Sequence, residues 1–227
     1  METGSWQRAR SREQIAEREE AILTAASRLF EEKPYEEVTL RSIAAEAGFT
    51  RSNVYRYFES REAIFLELYR RDVVTWFADV TAALDVLQPP LPRGHFVDTW
   101  SRVLLRQERL LRLTPQLTIS LERNPSPDVY REFKRFTRKT IGRAVELVAP
   151  FLPDLTAPQI AGFFFVHQAL VAGGVPMCRY TPMQEQVLEA AELASLRLEF
   201  GEFYRNAVLA YLDGLAHASR TGRPQEG

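Results

Sequence analysis

One cysteine, Cys178, stands among 227 residues. No internal disulfide can form, the thiol reads as inert, and the expected setting is a reducing cytoplasm. The three histidines, His95, His167 and His217, lie too far apart for metal-ligand spacing, so neither a metal nor another cofactor is expected. A glycine-rich phosphate loop is missing, and Gly173-Gly174 reads as room for close helix packing. No β-alternating runs flank Asn-Gly or Asp-Gly hairpin signals, which argues against sheets. Neither sign of charge dominates: the formal net charge is -1. That excludes a broadly basic surface but leaves room for a local basic patch. Long hydrophobic runs are absent too. The most apolar stretch, IAGFFFVHQALVAGG (160–174), carries His167 and Gln168 and falls short of the ~20 residues of a membrane span. It reads as a buried helix, and no membrane partner is expected. The N-terminus shows no basic-then-apolar leader.

What is present is helical periodicity, nearly from end to end. Ile15, Ile22, Leu23, Ala26, Leu29 and Phe30 predict a first helix from Glu13 to Glu32, closed by Pro34. Thr39 can cap a short second helix ending at Gly48, and Thr50 a third over 50–57. Ser60 opens a long fourth helix whose inner stripe is Phe65, Tyr69, Val73, Trp76, Val80, Leu84 and Leu87. It stops at QPPLPRG (88–94), the clearest breaker in the chain. Further helices are predicted over 95–112, from Thr114-Pro115, from Ser126-Pro127-Asp128, and after the capping boxes Thr156/Gln159 and Thr181/Gln184. Residues 191–199 fit helix or loop equally, and a last helix spans Phe200 to Ala218.

The segment GFTRSNVYRYF (48–58) concentrates long polar and aromatic side chains just after a glycine. A short apolar-faced helix, a turn on Gly48 and a second short helix make a helix-turn-helix, whose second helix enters the DNA major groove. Arg51 can pair with guanine and Asn53 with adenine. Thr50, Tyr55, Tyr57 and Arg61 can reach phosphates, and the helix N-termini at Thr39 and Thr50 suit anions. Arg41, Ser52 and Arg56 complete the candidate DNA-binding set. A solvated bundle helix is the plain alternative. Against it, the helix is too short to stand alone, and its residues are DNA-recognising types. Residues 1–60 hold nine basic and eleven acidic side chains, so any cationic surface there must be local. The stretch SWQRARSR (5–12) adds Arg8, Arg10 and Arg12 with no acid.

The stretch AILTAASRLFEEKPYEEVTLRSIAAEAGFTRSNVYRYFESREAIFLEL (21–68) resembles the DNA-binding domain of TetR/AcrR-family bacterial transcriptional regulators. Thr39, Ile43-Ala44, Ala47-Gly48, Tyr55, Phe58, Arg61 and Glu62 sit where the family pattern expects their types. Ser52 stands where the family usually has glycine, which bears on how closely the recognition-helix backbone approaches DNA. Pro34 replaces the glycine that commonly ends helix one.

The resemblance implies an all-α homodimeric repressor. Its expected parts are a flexible basic arm (1–12), a helix-turn-helix domain (13–60), a C-terminal effector-binding and dimerisation bundle (61–219) and a flexible tail (220–227). It also implies an operator of double-stranded DNA and a small hydrophobic effector in a cavity lined by some of Trp76, Trp100, Phe133, Phe136, Phe164 and His167. His167, alone on an apolar helix, reads as a hydrogen-bonded core residue before it reads as a ligand contact. Dimer contacts are expected from the helix at 157–174 and the last helix. The competing class is a helical-bundle enzyme or binding scaffold that binds no DNA; no nucleophile–base or metal-ligand arrangement favours it.

Overall fold

The structure, a computed structural model, describes residues 3–221, and of residues 3–12 the backbone alone. The side chains of the basic arm and residues 222–227 lie outside the described residues. The elements are α1 (Thr3–Glu32), α2 (Leu40–Glu46), α3 (Arg51–Val54), α4 (Arg61–Asp85), α5 (Arg93–Leu105), α6 (Glu108–Gln116), α7 (Pro127–Val148), α8 (Ala157–Met177), α9 (Pro182–Leu188) and α10 (Phe200–Arg220). Among the described residues there is no strand.

Local chemistry sets most of the boundaries. Thr39 and Ser42 form a capping box at α2, Thr156 and Gln159 one at α8, and Thr181 and Gln184 one at α9. At the other end of α2, Gly48 adopts φ 72. Its amide reaches Ala45 O at 3.2 Å, and that of Phe49 reaches Ala44 O at 2.8 Å. This pair of bonds is the Schellman closure that only a left-handed residue allows without strain.

Four helix expectations change. α1 begins at Thr3, before the predicted Glu13. α3 stops at Val54, well short of 57. After it the amides of Arg56 and Tyr57 bond three residues back, to Asn53 O (3.2 Å) and Val54 O (2.9 Å), which tightens the helix into turns. The helix expected over 95–112 is two, α5 and α6, broken at Arg106–Gln107, where the Gln107 side-chain amide donates to Asp79 Oδ2 at 2.7 Å. No helix starts at Thr114-Pro115; Pro115 lies inside α6. It has no N–H for the ladder, the Thr114 hydroxyl donates to Leu110 O at 2.7 Å, and the backbone then widens into a π-helical turn, Leu117–Leu121. Residues 191–199 form turns with a 3-10 helix at Ala194–Leu196.

The chain divides into two units by contact. The first is 1–71 with 116–133; the second is 72–115 with 134–227. By contact the division falls inside α4, after Arg71. The first unit buries Ile22, Leu23, Ala26, Phe30, Val38, Ile43, Val54, Ile64 and Phe65. Its later segment is tied in by Ser126 N donating to Glu59 Oε1 (2.6 Å) and by Phe133 edge-on to Tyr69 (ring centroids 6.0 Å).

The second unit is built where α5, α8 and α10 pack on one another, around Phe96, Trp100, Phe163, Tyr204, Val208 and Leu212. α8 approaches α10 so closely at Gly174 that a Cβ there would lie 2.8 Å from Phe203 Cε1. α8 has 21 residues and is long and apolar enough to cross a membrane by length and composition alone. Only a third of its most apolar window is buried. The expected buried helix is thus buried on one face, through Ile160, Phe163, Phe164, His167, Val171 and Val175, while Phe165 is 66% exposed.

Candidate nucleic-acid interface and ligand site

The turn between α2 and α3 lets only Val54 of α3 point inward, where it is fully buried. Its neighbours Arg51, Ser52, Tyr55 and Arg56 are exposed, and Asn53 and Tyr57 are half-exposed. Thr39, Arg41 and Thr50 are exposed beside them. A four-residue helix held by one apolar anchor needs its caps. Thr50 Oγ1 accepts from Asn53 N at 3.3 Å and lies 3.0 Å from Ser52 Oγ. Arg51 Nη2 donates to Tyr55 OH at 2.9 Å, with the guanidinium 5.4 Å from the ring centre. The predicted DNA-reading side chains thus stand together, outward and locally braced. The two N-termini expected to hold anions are a different matter: both helices are short, and Thr39 and Thr50 already occupy the Ser42 and Asn53 amides.

Arg61 departs most from expectation. Its guanidinium, expected to hold phosphate, is committed to the protein: to Val38 O (3.0 Å), Tyr35 O (3.3 Å) and Glu62 Oε1 (3.0 Å), and it lies over the Tyr35 ring at 4.3 Å. Tyr35 is itself buried, and burial pushes its phenol well above the usual tyrosine range. A separate open groove of about 550 Å³ between α1 and α2 is lined by Glu17, Glu20, Glu46 and Arg28. Two of its three carboxylates are ion-paired, Glu46 with Arg28 and Glu20 with Arg71, and none of the predicted DNA-binding side chains lines it.

In the second unit, four of the six aromatic candidates meet. Trp76 stacks on His167 (5.1 Å between ring centres, 4° between planes) and meets Trp100 edge-on at 5.0 Å. Trp100 in turn lies 5.8 Å from Phe164 and 5.8 Å from His167. Phe133 belongs to the first unit, and Phe136 is half-buried on α7 in the second. They flank the unit boundary, which residue spacing on one helix does not reveal.

One member that sequence reasoning passed over completes the cluster. Tyr204, fully buried on α10, accepts from Trp100 Nε1 at 2.9 Å and hydrogen-bonds His167 Nδ1. Trp100 can only donate, so the Tyr204 hydroxyl accepts from it and is free to donate to Nδ1, which puts the ring proton on Nε2. Burial holds the His167 imidazole neutral, with its pKa lowered to about 3, and pushes the Tyr204 phenol far up. His167 is therefore the hydrogen-bonded core histidine expected. Trp76 Nε1, by contrast, is buried with no hydrogen-bond partner. An unmet buried donor costs roughly 1–3 kcal/mol, and an acceptor brought by a bound molecule would relieve it.

Comparison with known proteins adds three findings. Residues 22–68 match the family model described as bacterial regulatory proteins, tetR family, and residues 70–219 match that of a tetracyclin repressor-like C-terminal domain. HTH-type transcriptional regulator Rv1255c of Mycobacterium tuberculosis, itself uncharacterized, is 35% identical over 85 residues, 37% of this chain and 41% of that protein. HTH-type transcriptional regulator EthR of Mycolicibacterium smegmatis is 44% identical over 52 residues, 23% of this chain and 24% of that protein. HTH-type transcriptional repressor AcnR of Corynebacterium diphtheriae is 30% identical over 108 residues, 46% of this chain and 56% of that protein. The chain thus spans from about a quarter to just over half the length of these relatives. Among solved structures, fatty acid degradation regulator FadR from Bacillus halodurans superposes with a TM-score of 0.56 at 13% identity, over 87% of this chain and 96% of that one. That likeness speaks to the fold.

Proposed function

The chain belongs to the tetR family of bacterial regulatory proteins, and from that premise we propose that it is a transcriptional repressor which leaves its operator when a small hydrophobic effector binds. The observation that carries the DNA half is the outward, capped set around α3, with Val54 as its one inward anchor. Arg51 and Asn53 read base edges; Thr39, Arg41, Thr50, Ser52, Tyr55, Arg56 and Tyr57 hold the backbone. The enzyme alternative gives way to a family of regulators.

The effector half rests on the nest of Trp76, Trp100, Phe164 and His167. A mostly apolar surround with one unmet indole N–H suits a hydrophobic molecule carrying a hydrogen-bond acceptor. α4 contributes residues to both units, so it is the segment through which an effector biases DNA affinity, by about 1–3 kcal/mol of coupling. The protein acts as a homodimer in the cytoplasm. α8 has no charged residue and leaves Phe165 and Ala169 exposed one turn apart, on a face that a second copy covers through α8 and α10. Val208, fully buried within the protomer, serves the core and not that contact.

The test is binding to duplex DNA from immediately upstream of the protein's own gene. Arg51→Ala is expected to weaken binding by ~1–3 kcal/mol and to relax preference at one base pair, with the fold unchanged. Wild-type affinity and preference in both Arg51→Ala and Asn53→Ala would overturn the assignment of α3.

A further inference from the structure

A guanidinium offers five N–H donors in a plane. In Arg61 four are spent inside the first unit: two from Nη1 on the carbonyls of Val38 (3.0 Å) and Tyr35 (3.3 Å), one each from Nε (3.3 Å) and Nη2 (3.0 Å) on Glu62 Oε1. The Tyr35 hydroxyl donates to the same carboxylate oxygen at 3.4 Å, and the guanidinium plane covers the Tyr35 ring at 4.3 Å. That ring stands edge-on to Phe65 (5.0 Å), which is fully buried and edge-on to Phe30 (5.5 Å). Arg61 is thus a rivet between the start of α4 and the extended link Val38–Thr39, and its side chain is only 24% exposed.

What the rivet holds is the residue before a cap. Val38 is fully buried, and its carbonyl leads directly into Thr39. Thr39 N donates to Ser42 Oγ (3.0 Å) and Thr39 Oγ1 accepts from Ser42 N (3.1 Å), which starts α2. α2 then closes through Gly48 onto the turn that sets α3. The angle at which α3 meets a DNA groove is therefore decided at the entry to α2.

We propose that Arg61 is a positioning residue for DNA reading: it acts through the Tyr35 and Val38 carbonyls on the start of α2 and does not bind phosphate. This rests on the DNA-binding reading above. It predicts the opposite of a phosphate contact for a charge-conserving change. Lysine keeps the cation, so a phosphate contact would survive it, but lysine has neither the planar fork nor the stacking face that the rivet uses.

The experiment compares wild type, Arg61→Lys and Arg61→Gln on duplex DNA from upstream of the protein's own gene, across a salt series. It adds amide hydrogen exchange of the DNA-free protein at Ser42 and Ile43. The expected result is about a tenfold loss of affinity in both variants with the salt slope of wild type, and faster exchange at those amides while α4 remains protected. Arg61→Lys alone carries the test if Arg61→Gln does not fold. Wild-type affinity in Arg61→Lys, or a slope lowered by about one unit in Arg61→Gln, would overturn the inference and leave the DNA-binding reading standing. A wild type that binds no sequence selectively would overturn both.

Discussion

Around α3 the hydroxyl, amide and guanidinium groups stand in solvent and bond to partners three or four residues away, as in Thr39–Ser42, Thr50–Asn53 and Arg51–Tyr55. In the second unit the indole of Trp100, the imidazole of His167 and the phenol of Tyr204 are buried and bond across 104 and 37 residues of chain. The first arrangement keeps polar groups available to an incoming partner and leaves little of the fold's stability at stake in each. The second removes them from water, so each must be satisfied by another, and losing one exposes the rest.

That contrast predicts where substitutions hurt. Trp100→Ala should be the most damaging, because it opens a void at the ring shared by Trp76, Phe96, Phe163 and Phe164 and strips Tyr204 of a donor. The expected loss of unfolding free energy is ~3–5 kcal/mol, read by urea denaturation; a loss near zero would mean the nest is not a packed core.

Acid comes next. His167 stays neutral down to about 3 when folded, against the 6.5 of an unburied histidine. Between those values the unfolded chain binds a proton that the native chain refuses. The stabilisation is therefore complete above about pH 6.5 and declines as pH falls, by about 2 kcal/mol at pH 5. Glutamine can still accept from Tyr204, so His167→Gln should remove this part of the slope. Parallel stability curves for the two proteins between neutral pH and pH 5 would refute it.

Smallest is the cap. Thr50→Ala removes the side-chain acceptor from Asn53 N and should cost about 1 kcal/mol of stability, measured as a shift in thermal midpoint. A loss as large as that of Trp100→Ala would erase the contrast between the two regions.

The same contrast explains what the sequence could show. Caps and their closing glycine act over three to six residues, so the boxes at Thr156 and Thr181 and the Gly48 turn were legible in the one-dimensional pattern. So was the outward set on α3. The break between α5 and α6 was not, because Gln107 meets Asp79 from another helix, and Pro115 sits in a helix that periodicity ends. The intramolecular bonds of Arg61 were hidden for the same reason: its residue type suits phosphate, while its partners Tyr35 and Val38 lie 26 and 23 residues upstream. Tyr204 was not legible as part of the cluster, since its hydroxyl partners come from α5 and α8.

The first unit is interrupted in sequence, and that orders events at the ribosome. Residues 116–133 belong with 1–71, so translation must deliver 72–115 before the DNA-reading unit has all its parts. A nascent chain stopped at Arg71 leaves Tyr69 without Phe133, Glu59 without the Ser126 amide, and Glu36 without Gln116, which otherwise lies 3.3 Å away. The same gap follows any domain exchange spliced within α4: a transplant of 1–71 alone leaves those three contacts unmade, and one that brings 116–133 with it restores them.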